Sequence, residues 1–218
     1  RITLRFGDAK SLANKSTAAE FAASLLDKGT TKHTRQQIKD EFDRLKANVY
    51  IGGGATQAFI NITTTRPNLP EVLKLVDEVL KEATFPEDEF EKLKNQRLTS
   101  IETQRSDPQA IAFVEIQRHI NPYEKSDPRY HETFDESVAS IKSVSLADIR
   151  KFHKDFYGSA YGTMSVVGDF DAEEIKSLAN SIFGNWKNAT PFKRIEMKAA
   201  AVETINESVE TPDKPNAF

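Results

Sequence analysis

The chain has 218 residues, 38% hydrophobic and 29% charged, with a net charge of −3 spread over interspersed residues of both signs. Its length allows one large domain or two small ones, with fourteen Phe available to build a core. The charge balance and the lack of a basic, aromatic-interleaved stretch argue against a nucleic-acid binder; no apolar run approaches the ~18 residues of a membrane span; and without cysteine there is no disulfide, thiolate metal site or cysteine nucleophile.

Zero cysteine suits a cytoplasmic or a periplasmic protein equally. The sequence opens on Arg1 without a signal peptide and runs straight into strand-like residues, which reads as a piece of a longer polypeptide.

In "RITLRFG" (1–7) apolar and polar residues alternate, and Ile2, Leu4 and Phe6 face a core. "STAAEFAASLLDKGT" (16–30) reads as a helix capped by Ser16 or Thr17 and stopped at Gly29. "TRQQIKDEFDRLKA" (34–47) is an amphipathic helix with a Thr34/Gln37 capping box and an apolar stripe of Ile38, Phe42 and Leu45. Residues 48–66 read as two strands around Gly52, Gly53 and Gly54, the second rich in β-branched residues. The glycines serve either as a hairpin connection needing positive φ or as a substrate-handling loop. The strand over 56–64 is either a paired core strand or an edge that accepts an extended peptide.

Two helices follow, over 68–83 with Pro70 in the first turn and over 86–106 with Pro86 at its start. Glu87, Asp88, Glu89 and Glu91 suit the positive end of the second helix's dipole. "DPQAIAFVEIQRHI" (107–120) starts a helix after an Asp-Pro cap, and 121–141 is a connector. A helix over 145–158 ends at Gly158, a strand spans 160–170 with a turn at Gly168-Asp169, and a last helix over 171–186 is capped by Asp171. Residues 187–201 are linker-like and 201–218 extended. Hairpin strands beside long helices, without regular βαβ alternation, predict an α+β fold: a mostly antiparallel sheet with helices on one face.

None of the four histidines (His33, His119, His131, His153) lies four residues from another, so surface or capping roles are expected. Ser16 and Ser24 have no His-Asp partners placed by sequence. Unrelated chemistry would need a convergent cluster of ionisable groups away from residues 20–24.

Five segments, in order, resemble the insulinase/pitrilysin zinc metallopeptidases, family M16. They are "LLDKGTTKHTRQQIKDEFDRLKANV", "TTTRPNLPEVLKLVDEVLKEATFPEDEFEKLKNQ", "SDPQAIAFVEIQRHINPY", "SLADIRKFHKDFYGSAYGTMSVVGDFD" and "ESVETPDKPNAF". The resemblance implies an M16/LuxS-like metallohydrolase fold over 1–188, with 189–218 a linker and first strand toward a following domain. Active members carry His-x-x-Glu-His just before the Lys-Gly-Thr segment; two His hold Zn²⁺, the Glu is general base, and a distal Glu completes the site. Anchoring on Lys28-Gly29-Thr30 puts Glu20 at the first His position, Ala23 at the base and Ser24 at the second His. The distal ligand falls on Ser100; a one-residue slip offers Thr99 or Ile101, a two-residue slip Glu102.

A catalytic zinc takes three protein ligands and an open position. Ala23 can neither ligate nor accept a proton, and Ser24 and Ser100 are poor neutral donors. The resemblance therefore implies a domain with no catalytic and no metal residues of its own, with zinc and hydrolysis in a sister domain. Its implied partners are homologous M16 domains, in the same polypeptide or another subunit, and a peptide substrate. The alternative is an inactive homologue that binds or assembles beside a separate catalytic chain. The Arg-Tyr pair that assists active members does not map onto the adjacent Arg129 and Tyr130.

Overall fold

The computed structural model describes residues 1–188, 190–198, 201–206, 208–209 and 211. Four strands, β1 (Ile2–Arg5), β2 (Asn48–Gly54), β3 (Gln57–Thr63) and β4 (Thr163–Met164), form one sheet in the order β2-β3-β1-β4. Every neighbouring pair is antiparallel, with Ile2 opposite both Ile60 and Met164 and Ile51 opposite Ile60. Ile2, Leu4, Ala58 and Ile60 are buried on one face of this sheet. The period-2 pattern that marked β1 therefore has a physical cause: alternate side chains enter one apolar layer.

Eight helices account for most of the remaining described residues: α1 (Ser16–Leu25), α2 (Arg35–Arg44), α3 (Leu69–Lys81), α4 (Glu87–Gln104), α5 (Pro108–His119), α6 (Phe134–Ser143), α7 (Leu146–Phe156) and α8 (Ala172–Phe183). The buried apolar layer lies between sheet and helices. α1 packs against β2, α7 and α4, α3 against α8, and α4 against α6. An aromatic cluster ties the strand β1 to α7: Phe6 lies 4.8 Å from Tyr157 and 5.5 Å edge-on from Phe152, which stacks on Phe156 at 4.6 Å. Such pairs add about 1 kcal/mol each beyond the area they bury.

The capping box of α2 forms as its sequence dictates, with Thr34 accepting from the Gln37 N–H and Gln37 accepting from the Thr34 N–H. Asp107 accepts from the N–H groups of Gln109 and Ala110, and Asp171 from that of Glu174. Four expectations are corrected. The N-cap of α1 is Lys15, which makes no side-chain cap bond, and Ser16 is already helical. The glycines 52–54 are not a hairpin turn but the last residues of β2, paired to Phe59, Ala58 and Gln57. The turn sits at Ala55-Thr56. The region 121–141 is not wholly connector: α6 starts at Phe134, with Thr133 and Glu136 forming a capping box. The strand over 160–170 shrinks to Thr163–Met164; two further bonds, Ser165 N–H to Arg1 O at 2.9 Å and Arg1 N to Ser165 O at 2.8 Å, end the pairing before the chain bends at Gly168 (φ +136°).

Residues 190–198 and 201–206 contain neither helix nor strand. They run back over the domain: Thr190 N–H donates to Asp155 O and Lys193 N–H to Gly7 O. Of the extended stretch 201–218 expected to lead toward a following domain, residues 207, 210 and 212–218 lie outside the described residues.

Candidate functional site

The face of interest lies on α1. Residues 20, 23 and 24 share one side of a helix because they are three and four apart. The structure gives them different environments: Glu20 keeps 48% of its side chain exposed, Ser24 is half-buried and Ala23 is 1% exposed. Ala23 points at β2. A Cβ built on Gly53 would come within 2.9 Å of the Ala23 Cβ and 2.9 Å of the Gln57 carbonyl oxygen. Helix and edge strand therefore approach so closely that this contact admits only an alanine against a glycine. The Gly53 requirement is one of close approach, not of a left-handed backbone.

A residue that sequence reasoning missed closes the site. Arg97, on α4, reaches across to α1. It donates to Glu20 Oε2 at 3.2 Å, to the Glu20 carbonyl at 3.3 Å and to Ser24 Oγ at 2.9 Å. Its guanidinium lies 4.2 Å over the centre of the Phe21 ring. Ser24 Oγ in turn donates to the Glu20 carbonyl at 2.8 Å, the bond a helical serine makes one turn back. A fixed organic cation thus bridges Glu20 and Ser24, the two positions that the M16 resemblance was expected to match to histidines. Arg97 stands one turn before Ser100 on the same helix; a long basic side chain at that offset was the available signal.

The distal positions do not join this cluster. Ser100 lines the same cavity as Glu20 and Arg97, about 470 Å³ in volume, but its Oγ accepts from Gln104. The Thr99 carbonyl accepts from Thr103, and Glu102 faces Arg105 at 3.4 Å. Ile101 is apolar.

Burial pushes the Glu20 carboxyl above its ordinary range, Arg97 pulls it back down, and Glu132 nearby pushes it up again. Desolvation lowers the Arg97 guanidinium and Glu20 raises it; an arginine stays a cation regardless. A zinc ion brought here would meet a positive charge, one carboxylate and a serine hydroxyl, beside an alanine methyl. These residues do not fit a zinc ion. Among the described residues no group of three or more His, Cys, Asp or Glu is placed to hold a metal.

The histidines do structural work. His33 Nδ1 meets Glu78 Oε1 at 2.8 Å, and His119 Nε2 lies 2.7 Å from the Glu203 carbonyl. His153 Nε2 lies 2.7 Å from the Leu80 carbonyl, and burial lowers its pKa. His131 lies edge-on to Phe113, and burial lowers it too. The ionisable groups near the cavity are tied to one another: Arg129 to Asp127 at 2.7 Å, Lys125 to Glu136 at 3.1 Å, and Arg118 to the Tyr130 hydroxyl at 3.0 Å.

A family model described as the peptidase M16 inactive domain matches residues 143–217. A crystal structure of a peptidase M16 inactive domain from Pseudomonas fluorescens superposes with a TM-score of 0.71 at 22% identity, covering 93% of this chain and 48% of that one. The fold is that of an M16 inactive domain. A protease from Helicobacter pylori superposes with a TM-score of 0.68 at 20% identity, over 93% of this chain and 46% of that one.

Curated relatives point the same way. The zinc protease PqqE of Helicobacter pylori is 27% identical over 183 residues, 80% of this chain and 40% of that protein. An uncharacterized zinc protease of Rickettsia bellii is 24% identical over 184 residues, 81% of this chain and 43% of that protein. The chain resembles an M16 inactive domain in sequence as in fold, and spans less than half the length of the curated relatives it matches. Within that M16 fold, β2 is the outer strand and β3 lies inside the sheet, so residues 56–64 form a paired core strand.

Proposed function

We propose that this chain is a non-catalytic domain of an M16-type zinc peptidase, helping to enclose a peptide and to hold the interface with its sister domains. One observation carries the reading: the α1 face that holds zinc in active relatives carries an Arg97 guanidinium bridging Glu20 and Ser24, with Ala23 packed onto Gly53. Hydrolysis then belongs to a zinc-bearing sister domain. The outer edge of β2, unpaired among the described residues, suits an extended peptide added as a further strand.

A second reading has its own support. The 183 residues aligned to the Helicobacter relative are 40% of that protein, so a parent of that scale holds little more than two such domains. A parent of that scale that lacks the zinc motif would be an inactive subunit working beside a separate catalytic chain. A His-x-x-Glu-His motif elsewhere in the parent sequence favours the first reading; a parent without one favours the second.

The test is zinc content and peptide turnover of the full-length polypeptide, with the catalytic chain added if it is separate. Glu20→Gln and Ser24→Ala leave bound zinc per complex unchanged. Loss of zinc with either variant sinks the proposal.

A further inference from the structure

The cavity shared by Glu20 and Arg97, about 470 Å³ in volume, has two kinds of wall. One is apolar, with Ile101 from α4, Phe113 from α5 and Phe134 from α6. The other is charged, and its charges do not cancel locally. Glu20, whose side chain is 48% exposed, meets one cation, Arg97, through a single carboxylate oxygen at 3.2 Å. Glu132 lines the same cavity and joins no ion pair among the described residues; its carboxylate accepts from Ser140 Oγ at 2.6 Å.

The other cations around the cavity are engaged elsewhere. Lys125 and Arg118 both lie on Glu136, at 3.1 and 3.4 Å, and Arg129 lies on Asp127 at 2.7 Å. Glu20 and Glu132 therefore share one guanidinium. Their repulsion is among the causes that push the Glu20 carboxyl up, after burial, and no cation besides Arg97 acts to bring it down.

A second cation at this end of the cavity would relieve that repulsion, and the walls limit what it can be. A bare metal ion needs more oxygen donors than two carboxylates offer beside a guanidinium. An ammonium or guanidinium on an aliphatic stem needs no such shell: its head meets the carboxylates while its methylenes lie along the apolar wall. The volume falls within the range of small-ligand sites, roughly 300–1,000 Å³, and admits such a side chain with water beside it.

We propose that this cavity is a subsite for one basic side chain, Lys or Arg, of the enclosed peptide, its cation held between Glu20 and Glu132 and its stem on Ile101 and Phe113. This rests on the reading of the chain as a peptide-enclosing domain and names the residue type that the domain selects.

The test is stopped-flow anisotropy of labelled peptides on the full-length polypeptide, with the catalytic chain added if it is separate, read before turnover. One peptide carries a single Lys moved along its length; its counterparts carry norleucine, the uncharged isostere, or Glu at the same place. At one position Lys binds at least about fivefold tighter than norleucine, and Glu binds weaker than either. Glu132→Gln brings Lys and norleucine to within about twofold and leaves the norleucine peptide unchanged; Glu20→Gln gives the same reading should the first variant not fold. Equal binding of Lys and norleucine at every position overturns the proposal, as does a Lys preference that survives both variants. Cadaverine, a free amine on the same stem, displaces the Lys peptide only weakly; displacement at the peptide's own affinity overturns a peptide as the source of the cation. Norleucine peptides that bind without any Lys preference sink this inference alone, whereas no peptide binding at all sinks the enclosing role with it.

Discussion

Arg97→Ala removes the cation that joins α1 to α4. Its cost can be built from the contacts. The guanidinium over Phe21 at 4.2 Å contributes on the order of 1 kcal/mol. The bonds to Ser24 Oγ and the Glu20 carbonyl, at 2.9 and 3.3 Å, add about 1 kcal/mol between them. The ion pair to Glu20, half exposed and 3.2 Å long, adds under about 1 kcal/mol. A loss of about 2–3 kcal/mol is expected, or a Tm drop of roughly 5–10 °C for a chain of this size.

The pH dependence makes the expectation sharper. Folding raises the Glu20 pKa above 4.5 despite Arg97, so ionised Glu20 opposes folding and the opposition fades as pH falls through its folded titration. Without Arg97 the carboxyl rises further. The deficit of Arg97→Ala is therefore largest at neutral pH and shrinks on acidification, whereas in a Glu20→Gln background it does not change with pH. Urea unfolding of the four proteins across that range is the assay. A deficit below about 0.5 kcal/mol at neutral pH, or one that grows on acidification, refutes the view of Arg97 as the bridge at this site.

Gly53→Ala forces its new methyl to 2.9 Å from Ala23 and costs about 1–3 kcal/mol in urea unfolding. Gly54→Ala, with nothing within 4 Å, stays within about 0.5 kcal/mol, so equal effects at the two would count against the close approach of α1 and β2. Glu136 accepts from the Thr133 N–H and pairs with Lys125 and Tyr130, which hold its carboxyl down at about 2. Its contribution is complete above pH 4.5 and lost as pH falls toward 2, so Glu136→Gln flattens that part of the acid unfolding curve.

Much of the fold was legible in the sequence because its signals are local. Alternation placed Ile2, Leu4 and Phe6 inside, and Thr34, Asp107 and Asp171 marked helix starts through bonds to N–H groups two or three residues on. The helix α6 carried such a signal in Thr133 and Glu136 but sat in a proline-rich stretch. The glycines 52–54 were misplaced for a physical reason: a run of glycines looks the same whether it makes a turn or lets a helix approach a strand.

At the candidate site, sequence alone determined that Ala23 offers no donor atom whatever surrounds it. It could not name what took their place. Arg97 is 77 residues from Glu20 along the chain, and only the packing of α4 on α1 brings them together. Nor could composition show that α5, with Phe113 and Ile116 on it, buries none of its residues. A helix's stripe is written in its sequence, but whether that stripe is covered depends on where the rest of the chain goes.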